Sequence, residues 1–319
     1  MKKRLLIVLV MLASSVLSAA DRGDSDTSKA VLVTGASSGI GNRIALTLAE
    51  QGFFVYAGAR KAEDIAKLSA IDNIQGIRLD VTRQADIDAA VKTISDAGRG
   101  LYGLVNNAGV FLFDPLIEVS ERDLQFIMNV NVFGPYRVTQ AFAPLIIESQ
   151  GRITTTGSIA SVYSSRLFGP YSMSKAAMAS FTEALAAEMD KFNVAVSIVE
   201  PGNFRSDIMQ NMQQRMVQLE SGERRSQYQQ EIASMAGFTE VDRSHHADPK
   251  PVADAVVEFF TTSQPRLRYL VTPNEQEADF TIRRSLQRVV ELNQGQPYAM
   301  SRDELIALLD QLLTPQVSQ

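Results

Sequence analysis

The chain has 319 residues, of which 45% are hydrophobic, and this is enough apolar material for one large core or two small ones. It carries 31 Lys and Arg against 36 Asp and Glu, a formal net charge of −5. Basic residues are scattered after the N-terminus, so a nucleic-acid-binding surface is not expected. The absence of cysteine excludes disulfides and thiol catalysis.

The first twenty residues have the order of a secretory signal peptide. A basic run at 1–4 precedes an apolar stretch at 5–17, and small residues at 18–20 suit a signal peptidase. An uncleaved membrane anchor through residues 5–20 is the alternative, and both would export the rest of the chain, with membrane contact only if the segment is retained. A third possibility is a true start at or after Met11, which predicts a cytoplasmic protein. Residues 21–28 are interpreted as a linker.

A buried strand over Ala30–Thr34 is followed at once by a glycine-rich turn, Gly35 to Gly41. Ile40, Ile44 and Leu48 then recur at helical spacing. In the order strand, turn, helix, the backbone N–H groups point at a bound pyrophosphate, and glycine lets it approach closely. The context favours nucleotide binding over an ordinary glycine turn.

A second strand, Phe53–Ala57, leads to Arg60 and Lys61. An acidic residue here would hold the ribose hydroxyls of NAD, and none is present. Arg60 could instead contact a 2′-phosphate, which favours NADP, although two solvated cations at a helix start are the alternative. A third strand, Ile77–Val81, carries Asp80 at its ligand-binding edge.

A fourth strand over 102–105 leads into Asn106-Asn107-Ala108-Gly109, which is either a tight turn or a cofactor passage. Ser120 starts a helix with a near-capping box. Asn131 lies inside that helix, where asparagine is unfavourable, so it must face solvent or bond something specific. A fifth strand, 152–156, ends at Gly157-Ser158.

Tyr171 and Lys175 stand four residues apart in a predicted helix and therefore share one face of it. An ammonium beside a phenol favours the phenolate, so we expect a lowered pKa for Tyr171 and proton transfer near neutral pH. The spacing alone is weak evidence, because such pairs are common.

A sixth strand, 194–199, precedes Pro201-Gly202, and a final strand covers 268–271. Short apolar strands alternating with helices predict an α/β fold, a single doubly wound Rossmann-type domain over residues 29–275. Its parallel sheet should have about seven strands.

Residues 203–250 are predicted to form a substrate lid, because Met209, Met212, Met216 and Met235 occur there among polar residues. A surface helical insertion is the alternative. Adjacent His245 and His246 would point apart, and no metal site is predicted. Residues 276–319 are predicted to be a helical C-terminal extension that folds back or pairs with a partner; a capping box, 301–304, begins a helix there.

These motifs, in this order, resemble the classical short-chain dehydrogenase/reductases over residues 29–272. The resemblance implies a catalytic set of Asn131, Ser158, Tyr171 and Lys175. Tyr171 would be general acid and base, Lys175 would lower its pKa, Ser158 would hold the substrate oxygen, and Asn131 would anchor a water. The implied cofactor contacts are Gly35, Ser37, Ser38, Gly39, Ile40, Gly41, Arg60, Asp80, Val81, Asn107, Ala108, Gly109, Tyr171, Lys175, Pro201 and Gly202.

Within the family, residues 56–60, 200–204 and 268–271 look most like the steroid and retinol dehydrogenase branch. The expected activity is NADP(H)-dependent interconversion of a secondary alcohol and a ketone or aldehyde on an apolar substrate, with NAD(H) less favoured. A non-catalytic dinucleotide-binding or sensing protein is the alternative, against which the complete catalytic set argues. The small-residue helices beside the site predict a homodimer or homotetramer.

Overall fold

A computed structural model of the chain describes residues 28–208, 210–212, 226–234 and 246–314. The predicted leader (1–20), nearly all of the predicted linker, Met209, Met216, Met235 and His245 lie outside these ranges. Among the described residues, no helix combines the length and apolar character that a membrane crossing requires.

Seven parallel strands form one sheet in the order β3-β2-β1-β4-β5-β6-β7. The order reverses beside β1, which lies between β2 and β4, and this is the ligand-binding point of a doubly wound sheet. The predicted fold class is therefore confirmed. The strands are β1 (Ala30–Val33), β2 (Phe54–Ala59), β3 (Ile74–Arg78), β4 (Gly103–Asn106), β5 (Arg152–Thr156), β6 (Ala195–Pro201) and β7 (Arg268–Val271).

Helices cover both faces of the sheet, and two more follow its last strand. In the described part of the chain they are α1 (Gly39–Glu50), α2 (Ala62–Ser69), α3 (Gln84–Asp96), α4 (Glu121–Met128), α5 (Gly134–Glu148), α6 (Gly169–Met189), α7 (Gln229–Ser234), α8 (Lys250–Thr261), α9 (Glu275–Asn293) and α10 (Arg302–Leu313). A π-helical turn (Asn129–Phe133) joins α4 to α5, and short 3₁₀ turns cover Ile159–Ser161 and Asp190–Phe192.

The core has two halves, one on each side of the sheet. Val31 and Val33 pack with α1 and α8, whereas Ala30 and Leu32 pack with α3 and α5. Successive strand side chains point to opposite faces, so a strand buried on both sides is continuously apolar. This explains the apolar run from which β1 was predicted.

The third strand begins and ends three residues earlier than predicted, so Asp80 lies in the loop after it. Pairing decides this, because Ile74 stands beside Val55 and Ile77 beside Gly58. Gly76 supports the same register, since a methyl group there would overlap the Ile65 carbonyl of α2. Asp80 still lies at the carboxyl edge of the sheet, where it was expected, because the loop that carries it begins at the end of β3.

Helix α9 was not predicted as a separate element. Its sequence signal is Asn274, whose side-chain oxygen accepts a hydrogen bond from Glu277 N (2.9 Å). Apolar residues then recur at helical spacing. The capping box predicted for the next helix is confirmed by reciprocal hydrogen bonds between Ser301 and Glu304.

Candidate active site

The ends of β1 and β4 are tied together by two side chains. Thr34 Oγ1 accepts hydrogen bonds from Asn107 N (2.9 Å) and Ala108 N (3.0 Å). The Asn107 amide donates back to Thr34 O (3.0 Å), and Thr156 Oγ1 at the end of β5 donates to Asn107 Oδ1 (3.3 Å). Residues 107–109 form no turn in the structure; they are a loop that leaves β4 and forms a wall of the cleft between these strands.

The glycine-rich turn leaves room that larger residues would fill. Gly35 has φ +65°, and a methyl group on it would lie 2.8 Å from Ala108 Cα. A methyl on Gly41 would overlap the Asn107 amide and Gly35 O. Ser38 is the N-cap of α1 without capping it through its side chain, and the first turn carries no acidic residue. Such a helix start fits a bound phosphate group.

A second part of the cleft follows β2 and β3, where Arg60 and Asp80 face each other. The Arg60 carbonyl accepts a hydrogen bond from Arg78 Nη1 (2.8 Å), which holds the two strand ends together. Burial by itself would raise the pKa of the Asp80 carboxyl. Hydrogen bonds from Thr82 and the positive charges of Arg60 and Arg83 lower this pKa by more than burial raises it, so it lies below the usual value. Asp80 is therefore an anion that can accept hydrogen bonds from a ligand.

Ser158, Tyr171 and Lys175 meet at the third part of the cleft. Ser158 follows β5 and is the N-cap of a 3₁₀ turn, where its Oγ accepts from Ala160 N (3.1 Å). Tyr171 and Lys175 lie one turn apart in α6, with Lys175 Nζ 5.7 Å from the centre of the tyrosine ring. Lys175 Nζ donates to Thr156 O (2.8 Å).

The expected lowering of the Tyr171 pKa is wrong for this structure. Burial raises the pKa of Tyr171 to about 12, and the Ser158 hydroxyl opposes this only in part. Burial also lowers the pKa of Lys175 to about 8. Both shifts favour the neutral forms, because a buried charge loses its hydration. The pair is therefore a protonated phenol beside an amine that loses its proton easily.

Asn131 lies in the π-helical turn, and its side chain is buried. Its Oδ1 accepts from Val110 N (2.8 Å), and its Nδ2 donates to Val110 O (2.9 Å) and Ser174 Oγ (3.0 Å). It therefore bonds something specific, one of the two options that the sequence left open. These bonds join the loop after β4 to α6, so Asn131 positions the helix that carries Tyr171. Its role in holding a water stays a prediction.

The three parts line one cavity of about 650 Å³. Every residue predicted to contact the cofactor lines it, and so do Ser158, Tyr171 and Lys175. Asn131 does not belong to the lining. The cavity is of the size that binds small molecules and cofactors.

Comparison with known proteins identifies the family. The family model for the short chain dehydrogenase matches residues 29–217. This chain belongs to the short-chain dehydrogenase family. It is therefore an oxidoreductase, and the resemblance found in the sequence is confirmed.

Two relatives and one solved structure illustrate the likeness of this dehydrogenase to others. It is 32% identical to the uncharacterized oxidoreductase YbbO of Escherichia coli (strain K12), with 76% of this chain and 86% of that protein covered. It is 31% identical to the mitochondrial D-beta-hydroxybutyrate dehydrogenase of Bos taurus, with 76% of both chains covered. A short-chain dehydrogenase structure from Streptomyces avermitilis superposes with a TM-score of 0.71 at 30% identity, covering 84% of this chain and 96% of that one.

Aromatic residues surround the tyrosine of this dehydrogenase. The ring of Phe111 lies 4.7 Å from that of Tyr171 and 5.5 Å from that of Phe168. Met212 belongs to the same apolar cluster, together with Tyr228 from the region predicted as a lid. These neighbours pack against the partly buried tyrosine and contribute to the desolvation that raises its pKa.

The first turns of α9 complete the cavity wall. The sequence analysis did not predict this contribution. Glu277 Oε2 accepts a hydrogen bond from Asn203 N (2.8 Å), next to the predicted cofactor contact Gly202. The ring of Phe280 lies edge-on against Tyr163, 4.8 Å away. Glu277, Phe280 and Tyr163 all line the cavity. The helix signal at Asn274 could have revealed α9, but not its position.

Proposed function

We propose that this dehydrogenase uses NADP(H) to interconvert an alcohol and the corresponding ketone or aldehyde on an apolar substrate, with Tyr171 as the proton donor and acceptor. The observation that carries the proposal is the meeting of Ser158, Tyr171 and Lys175 in the same cavity as the glycine-rich turn and Arg60. A cofactor held by the turn and a substrate held at Tyr171 would share one enclosed space.

The nicotinamide, when bound, supplies or accepts the hydride. The chain's own residues handle the proton. Tyr171 is protonated at neutral pH because of its raised pKa, so it can donate its proton to a substrate carbonyl oxygen in reduction. Ser158 would donate a hydrogen bond to the same oxygen. Lys175 would contact the cofactor ribose, and its positive charge would then favour the phenolate that reduction leaves behind.

NADP(H) is proposed over NAD(H) because the residues that follow β2 are basic. Arg60 follows the strand there with Lys61 behind it, and no acidic side chain of the kind that holds the ribose hydroxyls of NAD is present. Solved structures with this fold contain either cofactor: one from Burkholderia phymatum is a complex with NAD, and one from Burkholderia cenocepacia is a complex with NADP. The preference for NADP(H) therefore depends on this chain's own residues.

An apolar substrate is proposed because of the wall around Tyr171. Phe111, Phe168 and Phe280 line the cavity, and Val110 and Phe126 add aliphatic and aromatic surface. Among the relatives is a 3beta-hydroxysteroid dehydrogenase of Caenorhabditis elegans, 35% identical over 59% of this chain and 52% of its own length. Together with the sequence resemblance to the steroid and retinol dehydrogenase branch, this supports a lipid-like alcohol or ketone.

The testing experiment is a titration with NADPH and with NADH, followed by a carbonyl substrate screen with the preferred cofactor. The chain starting at Asp21 is used, and Tyr171→Phe is measured beside the exposed control Tyr136→Phe. We expect tighter NADPH binding, and turnover that Tyr171→Phe abolishes while cofactor affinity stays nearly unchanged. Equal turnover in the Tyr171 variant would refute its role. Binding of neither cofactor would favour the non-catalytic alternative.

A further inference from the structure

The carboxylate of Glu277 is fixed at the catalytic end of the cavity. Glu277 lies in the first turn of α9 and lines the same cavity as Tyr171 and Lys175. Its Oε2 accepts a hydrogen bond from Asn203 N (2.8 Å). A methyl group built on Gly202 would overlap the same carboxylate oxygen. The carboxylate therefore lies directly beside the glycine that follows β6.

The negative charge of Glu277 has no cationic partner. Within the described ranges, no cationic side chain forms an ion pair with it. Its hydrogen bond comes from a neutral backbone amide, which leaves the charge in place. Burial raises the pKa of the nearby Tyr163 phenol, and the charge of Glu277 raises this pKa further. Glu277 is thus an unpaired negative charge that acts on other groups in the cavity wall.

The sheet order indicates which half of a dinucleotide would reach this charge. A doubly wound sheet binds a dinucleotide across the point where its strand order reverses, with one mononucleotide over each half of the sheet. Arg60 and Asp80, after β2 and β3, fit the adenosine half. The nicotinamide half would therefore extend over the ends of β4, β5 and β6. Lys175 contacts the last residue of β5, and Glu277 contacts the residues after β6.

The other charged residues of the cavity wall act elsewhere or with the opposite sign. Asp207 also lines the cavity, but its backbone N lies 3.7 Å from a methyl group built on Gly39, in the glycine-rich turn. It therefore belongs to the part of the cavity that fits the pyrophosphate. Lys175 has a pKa lowered to about 8 by burial, so its positive charge is easily lost. Glu277 is thus the negative charge at the nicotinamide end among the residues that the structure describes.

The two redox states of the cofactor differ in charge only at the nicotinamide. The ring carries one positive charge when it is oxidised and none when it is reduced, and the rest of the molecule is unchanged. A fixed negative charge near the ring attracts the oxidised form and leaves the reduced form nearly unaffected. A charge at the adenosine end distinguishes the two forms much less, because the interaction falls with distance and is screened.

We propose that Glu277 stabilises the oxidised, positively charged cofactor relative to the reduced one and thereby favours reduction of the bound substrate. In reduction, the carbonyl carbon receives a hydride from the cofactor and the carbonyl oxygen receives a proton from Tyr171. The products are an alcohol and a nicotinamide with a positive charge, which the carboxylate stabilises as it develops. The inference rests on the proposed function and goes beyond it, because it assigns a direction to the site.

The first test needs no substrate. Isothermal titration calorimetry gives the dissociation constants of NADP⁺, NADPH, NAD⁺ and NADH for the wild type and for Glu277→Gln, which removes the charge but keeps an acceptor for Asn203 N. For the preferred pair, we expect the ratio of the oxidised to the reduced dissociation constant to rise roughly 5- to 30-fold, the effect of one unit charge across a partly buried site. An unchanged ratio would overturn the proposal.

Two control variants separate the charge from the structure of α9. Glu277→Asp keeps the charge and should keep a ratio close to that of the wild type. Glu275→Gln removes the same charge from an exposed position in the same turn and should leave the ratio unchanged. An equal rise of the ratio in Glu275→Gln, or in Glu277→Asp, would assign the effect to the helix rather than to the carboxylate and would overturn the proposal.

A ligand without the nicotinamide locates the effect. 2′-Phospho-ADP-ribose should bind equally well to the wild type and to Glu277→Gln. A loss of its affinity as large as that of NADP⁺ would show that Glu277 acts on another part of the cofactor, and this would contradict the proposal.

The direction itself is tested with a carbonyl compound identified by the substrate screen. With enzyme in excess over cofactor and substrate, the absorbance at 340 nm gives the fraction of bound cofactor that is reduced at equilibrium. We expect this fraction to be higher in Glu277→Gln than in the wild type, and an equal fraction would overturn the assigned direction. Binding of none of the four cofactors by the wild type would refute the proposed function as well, whereas normal binding with an unchanged ratio refutes only the role of Glu277.

Discussion

Replacing Lys175 by methionine should make the cofactor-free protein more stable while abolishing turnover. Lys175 is only 7% exposed, and burial lowers its pKa from 10.5 to about 8. At pH 7 the amine is protonated in the folded and unfolded chains, so the folded state bears the full cost of the buried charge. At about 1.4 kcal/mol per pH unit, that cost is about 3 kcal/mol.

Methionine keeps most of the side-chain length but removes the charge and the hydrogen bond to Thr156 O. Leaving this carbonyl without its donor costs about 1–2 kcal/mol. The net expectation is a free energy of unfolding that is about 1–2 kcal/mol higher at pH 7 in Lys175→Met. Turnover should fall by at least about 100-fold, since proton transfer contributes that much.

The pH dependence gives a sharper signature than the gain itself. Between pH 8 and 10.5 the unfolded chain holds a proton that the folded Lys175 has lost, so the stability of the wild type rises with pH across this window. The advantage of Lys175→Met should therefore shrink from pH 7 to pH 10. Above pH 10, the raised pKa of Tyr171 acts in the opposite direction in both proteins, because the folded tyrosine keeps its proton.

Urea unfolding at pH 7, 8.5 and 10 measures these differences, with the exposed Lys67→Met as a control that should change stability by no more than about 0.5 kcal/mol. A variant less stable than the wild type at pH 7 would refute the reasoning about the buried charge. A gain that does not vary with pH would do the same.

Three further predictions concern the cavity. Arg60→Ala should weaken NADPH binding about 10–100-fold and leave NADH binding nearly unchanged, because one charge-assisted contact to the 2′-phosphate is lost; fluorescence titration beside Lys61→Ala measures this, and an equal loss for both cofactors would contradict the assignment. Gly41→Ala should weaken the binding of both cofactors more than about tenfold, because its methyl overlaps Asn107, whereas Gly52→Ala, whose φ of +84° costs stability but whose methyl meets no atom within 4 Å, should still bind both. Glu277→Ala should destabilise the protein by about 1–2 kcal/mol by removing the acceptor of Asn203 N; Glu277→Gln should restore most of it in urea unfolding, and no rescue would argue against this hydrogen bond.

The local features of the site were predictable from the sequence. Gly35 and Gly41 stand where any side chain would overlap a neighbour, and the helical spacing of Tyr171 and Lys175 needs only the geometry of one turn. The alternation of apolar strands and helices likewise implied the parallel sheet. Each of these features depends on residues close together in the chain, so sterics and periodicity were enough.

Properties that depend on residues distant in sequence could be read only from the three-dimensional packing. The direction of the Tyr171 pKa shift follows from burial beside Phe111, some sixty residues away, because desolvation outweighs the hydrogen bond with Ser158. The register of β3 follows from its pairing with β2. Glu277 and Phe280 reach the cavity only because α9 folds back across the end of β6. A pattern along the chain determines which groups are available, whereas packing determines their neighbours, and the neighbours set their charge state.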